Sequence, residues 1–336
     1  MSDSMKVAIV GAGLIGAKRA EAVIQVSDLK LICDVDSKKV KDLSDNYNVA
    51  FCTGYKEVVN DNRIEVVIVA TTNKFLTPIS VASLNADKHV LCEKPLGRNS
   101  SESRQIEDSA KASEKIVKTG FNHRFHPAIM KAKGLVDFGE IGSIINIRAR
   151  YGHGGRPGYE NEWRCDKDIS GGGELLDQGV HLIDLCRWFS GDVKEVYGKT
   201  LTAYWPIEVE DNVFFLLNHK NDVISQCHVS WTNWKNIFSF EIYGTEGFIH
   251  IDGLGGSYGV ETLSVGVRTA DSGAPTIKKE SFPGPDESWR LEWENFVHAI
   301  RDGVVPNGSL EDGVEANRVV DAIYESSRLN KPVFLT

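Results

Sequence analysis

Apolar and polar positions follow two rhythms over the first ~120 residues. Residues 5–10, 29–34, 65–70, 89–93 and 116–120 are short apolar runs with the length of strands, and 65–70 is the Val/Ile type buried on both faces of a parallel sheet. Between them, 14–26 and 77–86 show helical spacing, while 37–47 and 100–115 read as polar surface helices, the first capped by Asp36 or Ser37. Strands and helices alternating at this interval predict βαβ units wound into a doubly wound parallel sheet.

The rhythm changes after Phe121. Residues 127–137 read as a helix, 141–151 alternate as a strand, and 152–173 form a loop rich in glycine and charge. A helix follows over 174–189. From 193 to 267 the chain alternates in longer strands, with turn residues at 218–222 and 244–247, which predicts a large, open, mainly antiparallel sheet. Two amphipathic helices, near 287–301 and 311–329, close the chain. The pattern break divides it into a Rossmann-type domain over 1–123 and a second α/β domain over 124–336. A chain of 336 residues is long enough for two such cores.

Composition narrows the function classes. The formal net charge of −9 repels phosphate backbones, so nucleic acid is not expected as a partner. No apolar run reaches the roughly 18 residues of a membrane span. Positions 1–6 lack the basic and apolar segments of a secretion signal. The six cysteines form no C-x-x-C pair and read as reduced thiols of a cytoplasmic protein, and no cluster of metal ligands stands out.

Chemistry enters with Gly11-Ala12-Gly13-Leu14-Ile15-Gly16, a G-x-G-x-x-G between a strand and a helix. The first glycine makes the tight turn, the second admits a pyrophosphate to the backbone, and the third lets helix and strand pack. The helix N-terminus then receives the phosphates. Asp34 ends the second strand, 18 residues past Gly16. A carboxylate there accepts from a ribose 2′-OH and repels a 2′-phosphate, so NAD is expected rather than NADP.

Two further motifs follow. Glu93-Lys94-Pro95 ends a strand at the carboxyl edge of the sheet, where ligands of open α/β sheets bind, and Lys94 is placed to polarise a hydroxyl or carbonyl. Gly171-Gly172-Gly173 then opens a segment in which Asp177, His181 and Asp184 fall at i, i+4 and i+7, one helical face. Histidine titrates near neutrality and suits proton transfer there.

Together these motifs, in this order and over essentially the whole chain, resemble the Gfo/Idh/MocA oxidoreductases, the family of glucose–fructose oxidoreductase and inositol dehydrogenase. The resemblance implies an N-terminal Rossmann domain and a C-terminal domain whose open sheet mediates dimers or tetramers. It also implies NAD(P)-dependent oxidation or reduction at the CH–OH groups of sugars, inositols or nucleotide sugars. Carried over to this chain, it implies that Lys94 tunes the reacting oxygen, Asp177 holds substrate hydroxyls and His181 is the general acid/base; on the residues alone Lys94 is the alternative proton acceptor, and Asp184, one turn beyond His181, is placed to orient the imidazole. The cofactor set comprises the Gly11–Gly16 loop, Asp34, Thr71, Thr72, Asn73, Glu93 and Lys94. The family's Pro-Asn-x-x-His after the fourth strand is here Thr72-Asn73-Lys74-Phe75-Leu76, which keeps only the asparagine.

On the substrate side stand Asn122 and Arg124, and the loop carrying Arg156, Trp163 and Arg164. Planar guanidinium groups suit carboxylate or phosphate. With Trp231 and Trp234 they point to an anionic sugar, such as a nucleotide sugar; the alternatives are a neutral polyol or free sugar and, behind these, a non-catalytic NAD-binding regulator of the same fold, which has no need to keep Lys94, Asp177 and His181 together.

Overall fold

The computed structural model describes residues 4–269 and 273–335, so positions 1–3 of the N-terminal stretch read above lie outside it. Two compact units emerge: Met1–Asn122 with Trp289–Asn317, and His123–Ser288 with Arg318–Thr336.

The first unit contains β1 (Lys6–Val10), α1 (Leu14–Val23), β2 (Asp28–Cys33), α2 (Ser37–Tyr47), β3 (Ala50–Cys52), α3 (Tyr55–Asn60), β4 (Val66–Val69), α4 (Asn73–Asn85), β5 (His89–Glu93), α5 (Ser100–Ser113) and β6 (Val117–Gly120). Its six strands are parallel, in the order β3-β2-β1-β4-β5-β6. Alternate residues of each strand feed opposite faces. Ala8, Val10, Val67, Val69, Val90 and Cys92 enter one apolar cluster, and Val7, Ile9, Val66, Ile68 and Leu91 the other. Burial on both faces is why these strands read as continuous apolar runs. Strand order reverses at β1, and ligands of such sheets bind beyond the carboxyl ends at that switch point.

The sequence pattern missed β3 and α3, which are too short to show a period. It also started α4 four residues late; Pro78 lies inside that helix.

The second unit begins with α6 (Pro127–Asp137), β7 (Ile144–Gly152), α7 (Lys167–Ser170) and α8 (Val180–Ser190). It continues with β8 (Val193–Leu201), β9 (Asn212–His219), β10 (Ile224–Ser230), β11 (Ile237–Gly244), β12 (Gly247–Asp252), β13 (Glu261–Val267) and β14 (Ile277–Phe282). The chain closes with α9 (Ser288–Asp302), α10 (Leu310–Leu329) and β15 (Val333–Phe334), of which residues 289–317 belong to the first unit. Among the described residues nine strands form one sheet, β14-β13-β12-β11-β7-β10-β9-β8-β15. All neighbours are antiparallel except β7 and β10, which run parallel. One face of the sheet packs on helices: Phe189 of α8 lies 5.6 Å from Phe240, and Cys186 Sγ 3.8 Å from Cys227 Sγ. The other face exposes Phe214, Leu216 and Ile224.

The chain does not divide in one cut at 123/124. Residues 289–317 return to the first unit, because Trp293, Phe296 and Val297 of α9 fill its second apolar cluster. Amphipathicity showed that this helix must bury a face but not which core takes it.

Candidate functional site

The dinucleotide loop has the geometry its glycines predict. Gly11 has φ +113°, and a Cβ there would lie 2.2 Å from the Ala70 carbonyl oxygen; at Gly16 a Cβ would lie 1.8 Å from the Gly11 oxygen. At Gly13 nothing lies within 4 Å. So the first and third glycines are demanded by the fold, while the second opens onto free space at the N-terminus of α1, as close approach of a phosphate requires. Gly13 caps that helix without a side-chain hydrogen bond, and Leu14 beside it is 75% exposed.

Asp34 accepts from the Ala12 amide at 2.6 Å and from the Asp36 amide at 2.9 Å. Two N–H donors leave lone pairs for a sugar hydroxyl. The same close approach at Ala70 brings Thr71 beside the glycine turn. Thr72 caps α4 and Asn73 is buried in its first turn. The open corner at Gly13, the Asp34 carboxylate and the turn at Thr71–Asn73 have the chemistry to fit NAD.

Glu93 ends β5, buried, and Lys94 follows half-buried. Arg19 holds the Glu93 carboxylate at 2.7 Å.

In the second unit the segment opened by three glycines is not α-helical throughout. Leu175–Gly179 forms a turn of π-helix and α8 starts at Val180. Such turns recur at functional sites. The glycines serve packing here: a Cβ at Gly172 would lie 2.1 Å from Tyr324 Oη, and one at Gly173 2.0 Å from the Glu210 carbonyl oxygen. Glu210 Oε1 then accepts from the Gly173 amide at 3.0 Å, the Leu175 amide at 3.1 Å and Tyr324 Oη at 2.8 Å. Burial pushes the Glu210 carboxyl above its usual range. No periodicity marks Glu210 or Tyr324, so both were missed.

The side chains spaced along this segment have different partners. Asp177 lies 3.2 Å from Arg164 Nε. His181, buried, stacks on His123 with ring centroids 3.6 Å apart and planes 14° apart. His123 in turn meets Tyr151 Oη at 3.1 Å. Burial raises the Tyr151 phenol well above its ordinary range, keeping it neutral. The sequence offered Asn122 and Arg124 but passed over His123 between them.

The other candidate residues have partners of their own. Both oxygens of Asp184, considered above as an orienter of the imidazole, are bound by Arg124, at 2.9 and 2.6 Å. Arg124 is thus buried and held in this ion pair. Arg156 pairs with Glu162 at 2.6 Å, and Arg164 pairs with Asp177 and, at 3.7 Å, with Glu162. Two cations facing two carboxylates leave no net charge to read an anion. Trp163 lies beneath the Arg164 guanidinium at 4.6 Å. Trp231 is fully buried and packs on Tyr159, whereas Trp234 is exposed. Asn122 is buried at the end of the first unit.

Comparison with known proteins agrees with both units. Residues 5–121 match a family described as an oxidoreductase family with an NAD-binding Rossmann fold, and 129–250 match the GFO/IDH/MocA C-terminal domain. Levoglucosan dehydrogenase of Pseudarthrobacter phenanthrenivorans is 28% identical over 315 residues, covering 81% of this chain and 80% of that protein. Inositol 2-dehydrogenase of Salmonella typhimurium is 25% identical, covering 96% and 94%. The solved structure of levoglucosan dehydrogenase in complex with NADH and levoglucosan superposes with a TM-score of 0.90 at 25% identity, covering 98% of this chain and 99% of that one.

Proposed function

The chain belongs to the Gfo/Idh/MocA oxidoreductases, with an NAD-binding Rossmann unit, and from that premise we propose that it oxidises a secondary hydroxyl of a neutral sugar or polyol, or reduces the matching ketone. The pairing of the half-buried Arg164 with Asp177, and of the exposed Arg156 with Glu162, carries this choice over a nucleotide sugar or sugar acid. The names of the relatives, dehydrogenases of levoglucosan and inositol, support the same class.

The roles follow from the chemistry. NAD, when bound, accepts the hydride. The hydroxyl proton must leave as well, and a neutral alcohol is a poor donor, so a base is needed. His181, held by its stack on His123, takes that proton. Lys94 steadies the charge developing on oxygen, and Asp177, steered by Arg164, orients neighbouring hydroxyls.

A substrate panel tests the reading. With NAD, the kcat/KM for myo-inositol, levoglucosan or D-xylose is expected to exceed that for sugar acids and nucleotide sugars by more than about tenfold, since an anion would face the like charge of the Asp177 and Glu162 carboxylates. Preference for an anionic sugar would overturn it. Cofactor choice is a second test. NAD is expected to bind more than about tenfold tighter than NADP, because Asp34 faces a 2′-phosphate with like charge, and Asp34→Asn should narrow the gap. Equal binding of both dinucleotides by the unaltered protein would refute this role for Asp34.

The exposed sheet face supports a homodimer or homotetramer. Phe214 is 51% exposed and Leu216 42%, beside Tyr197, Gln226, Arg148 and Arg150. An apolar patch of this kind marks interfaces. Sedimentation should show multiples of 37.1 kDa, and Phe214→Glu should release monomers. A single monomeric species at micromolar concentration would remove the proposal. No helix among the described residues is long and apolar enough to cross a membrane. The six free, buried thiols support a cytoplasmic location.

A further inference from the structure

The Glu93-Lys94-Pro95 turn does not rest on its strand alone. Arg19 of α1 is fully buried. Its Nε donates to Glu93 Oε1 at 2.7 Å, and its Nη1 donates to Glu292 Oε2 of α9 at 2.5 Å. Lys118 of β6, also fully buried, places its ammonium 3.7 Å from Glu292 Oε1 and donates to the Asn307 carbonyl. Gly120 leaves the room for this: a Cβ there would lie 2.8 Å from Glu93 Oε2 and 3.1 Å from Arg19 Nη2. The Trp289 ring covers the guanidinium at 4.7 Å. Two cations and two carboxylates thus alternate across α1, β5, β6 and α9, all within the first unit.

Stability alone is a poor reason for such a set. Four charges taken out of water carry a desolvation cost that apolar side chains of similar volume avoid. What charges do supply is direction, because a guanidinium presents a rigid fork and fixes the carboxylates it binds. Glu93 is the last residue of β5, so pinning its carboxylate pins the backbone from which Lys94 departs. Glu292 and the Asn307 carbonyl come from the segment that returns to the first unit, near the other end of the chain.

We propose that Arg19 and Glu292 are positioning residues for Lys94, so that α9 belongs to the catalytic apparatus although it carries no catalytic group. This rests on the role given to Lys94 above. Misplacing a reacting group by about 1 Å costs on the order of a hundredfold in rate. Turnover per folded site should therefore fall when either residue changes, while binding changes little.

The test uses the full-length protein with NAD and, as substrate probes, myo-inositol, levoglucosan and D-xylose. Glu292→Gln keeps shape and removes charge. Arg19→Lys, a second variant, keeps charge and removes the fork. Each is made in the unaltered chain and in Lys94→Ala, and active sites are counted by NADH titration. The expected result is a kcat per site lower by about ten- to a hundredfold, with KM and NADH affinity within about threefold. In the Lys94→Ala background neither change should lower kcat further, because residues acting through one group are not additive. A purely structural role would reduce the number of NADH-binding sites and leave kcat per site intact, and that outcome overturns the proposal. So does a loss of equal size in both backgrounds. If Lys94→Ala itself keeps full turnover, the role of Lys94 falls and the proposal falls with it. If Lys94→Ala is crippled and both other variants are normal, only the positioning role falls.

Discussion

Replacing His181 by alanine is expected to lower turnover by about a hundred- to ten-thousandfold, the range for loss of a general base, with NAD affinity nearly unchanged. Lys94→Ala should do the same through a different loss, that of the group stabilising the developing alkoxide. The two are separable by their dependence on small-molecule rescue. Imidazole added to His181→Ala supplies a base, whereas methylamine added to Lys94→Ala supplies a cation. His181 is buried and stacked face to face on His123, so His123→Ala should lower turnover too, by freeing the ring that His181 lies against. Near-normal steady-state turnover in His181→Ala on the best substrate would remove the histidine from the mechanism.

Asp184→Asn is expected to cost about 3–5 kcal/mol of stability, because it strands the buried Arg124 guanidinium without its counter-charge. Both oxygens of Asp184 are engaged by Arg124, and the two side chains are 0% and 3% exposed. The Trp188 ring covers the guanidinium at 5.3 Å, which deepens its isolation from water. Replacing both partners by apolar residues, as in Arg124→Met with Asp184→Leu, should recover most of the loss, since neither charge then needs a partner. Urea unfolding followed by tryptophan fluorescence measures both. A loss below about 1 kcal/mol for Asp184→Asn would mean that water reaches the pair and screens it, as at a surface ion pair.

Local features were legible wherever one physical demand dominates a short stretch. Strands buried on two faces must be apolar throughout, so β1, β2, β4 and β5 announced themselves. A backbone turn that admits a phosphate needs glycine, so Gly11, Gly13 and Gly16 were readable, together with Asp34 at the end of the next strand. The spacing of Asp177 and His181 marked the segment that carries both. What the sequence could not determine was partnership, because an arginine's spacing does not say which carboxylate will reach it. Arg124, Arg156 and Arg164 read as candidate substrate residues, and the fold pairs them with Asp184, Glu162 and Asp177, 60, 6 and 13 residues away along the chain. His123 likewise acquired meaning only when folding laid it on His181. The return of 289–317 to the first unit, with Glu292 against Arg19, belongs to the same class: pairings between residues far apart in sequence are set by which surfaces the fold brings together, and no period along the chain encodes that.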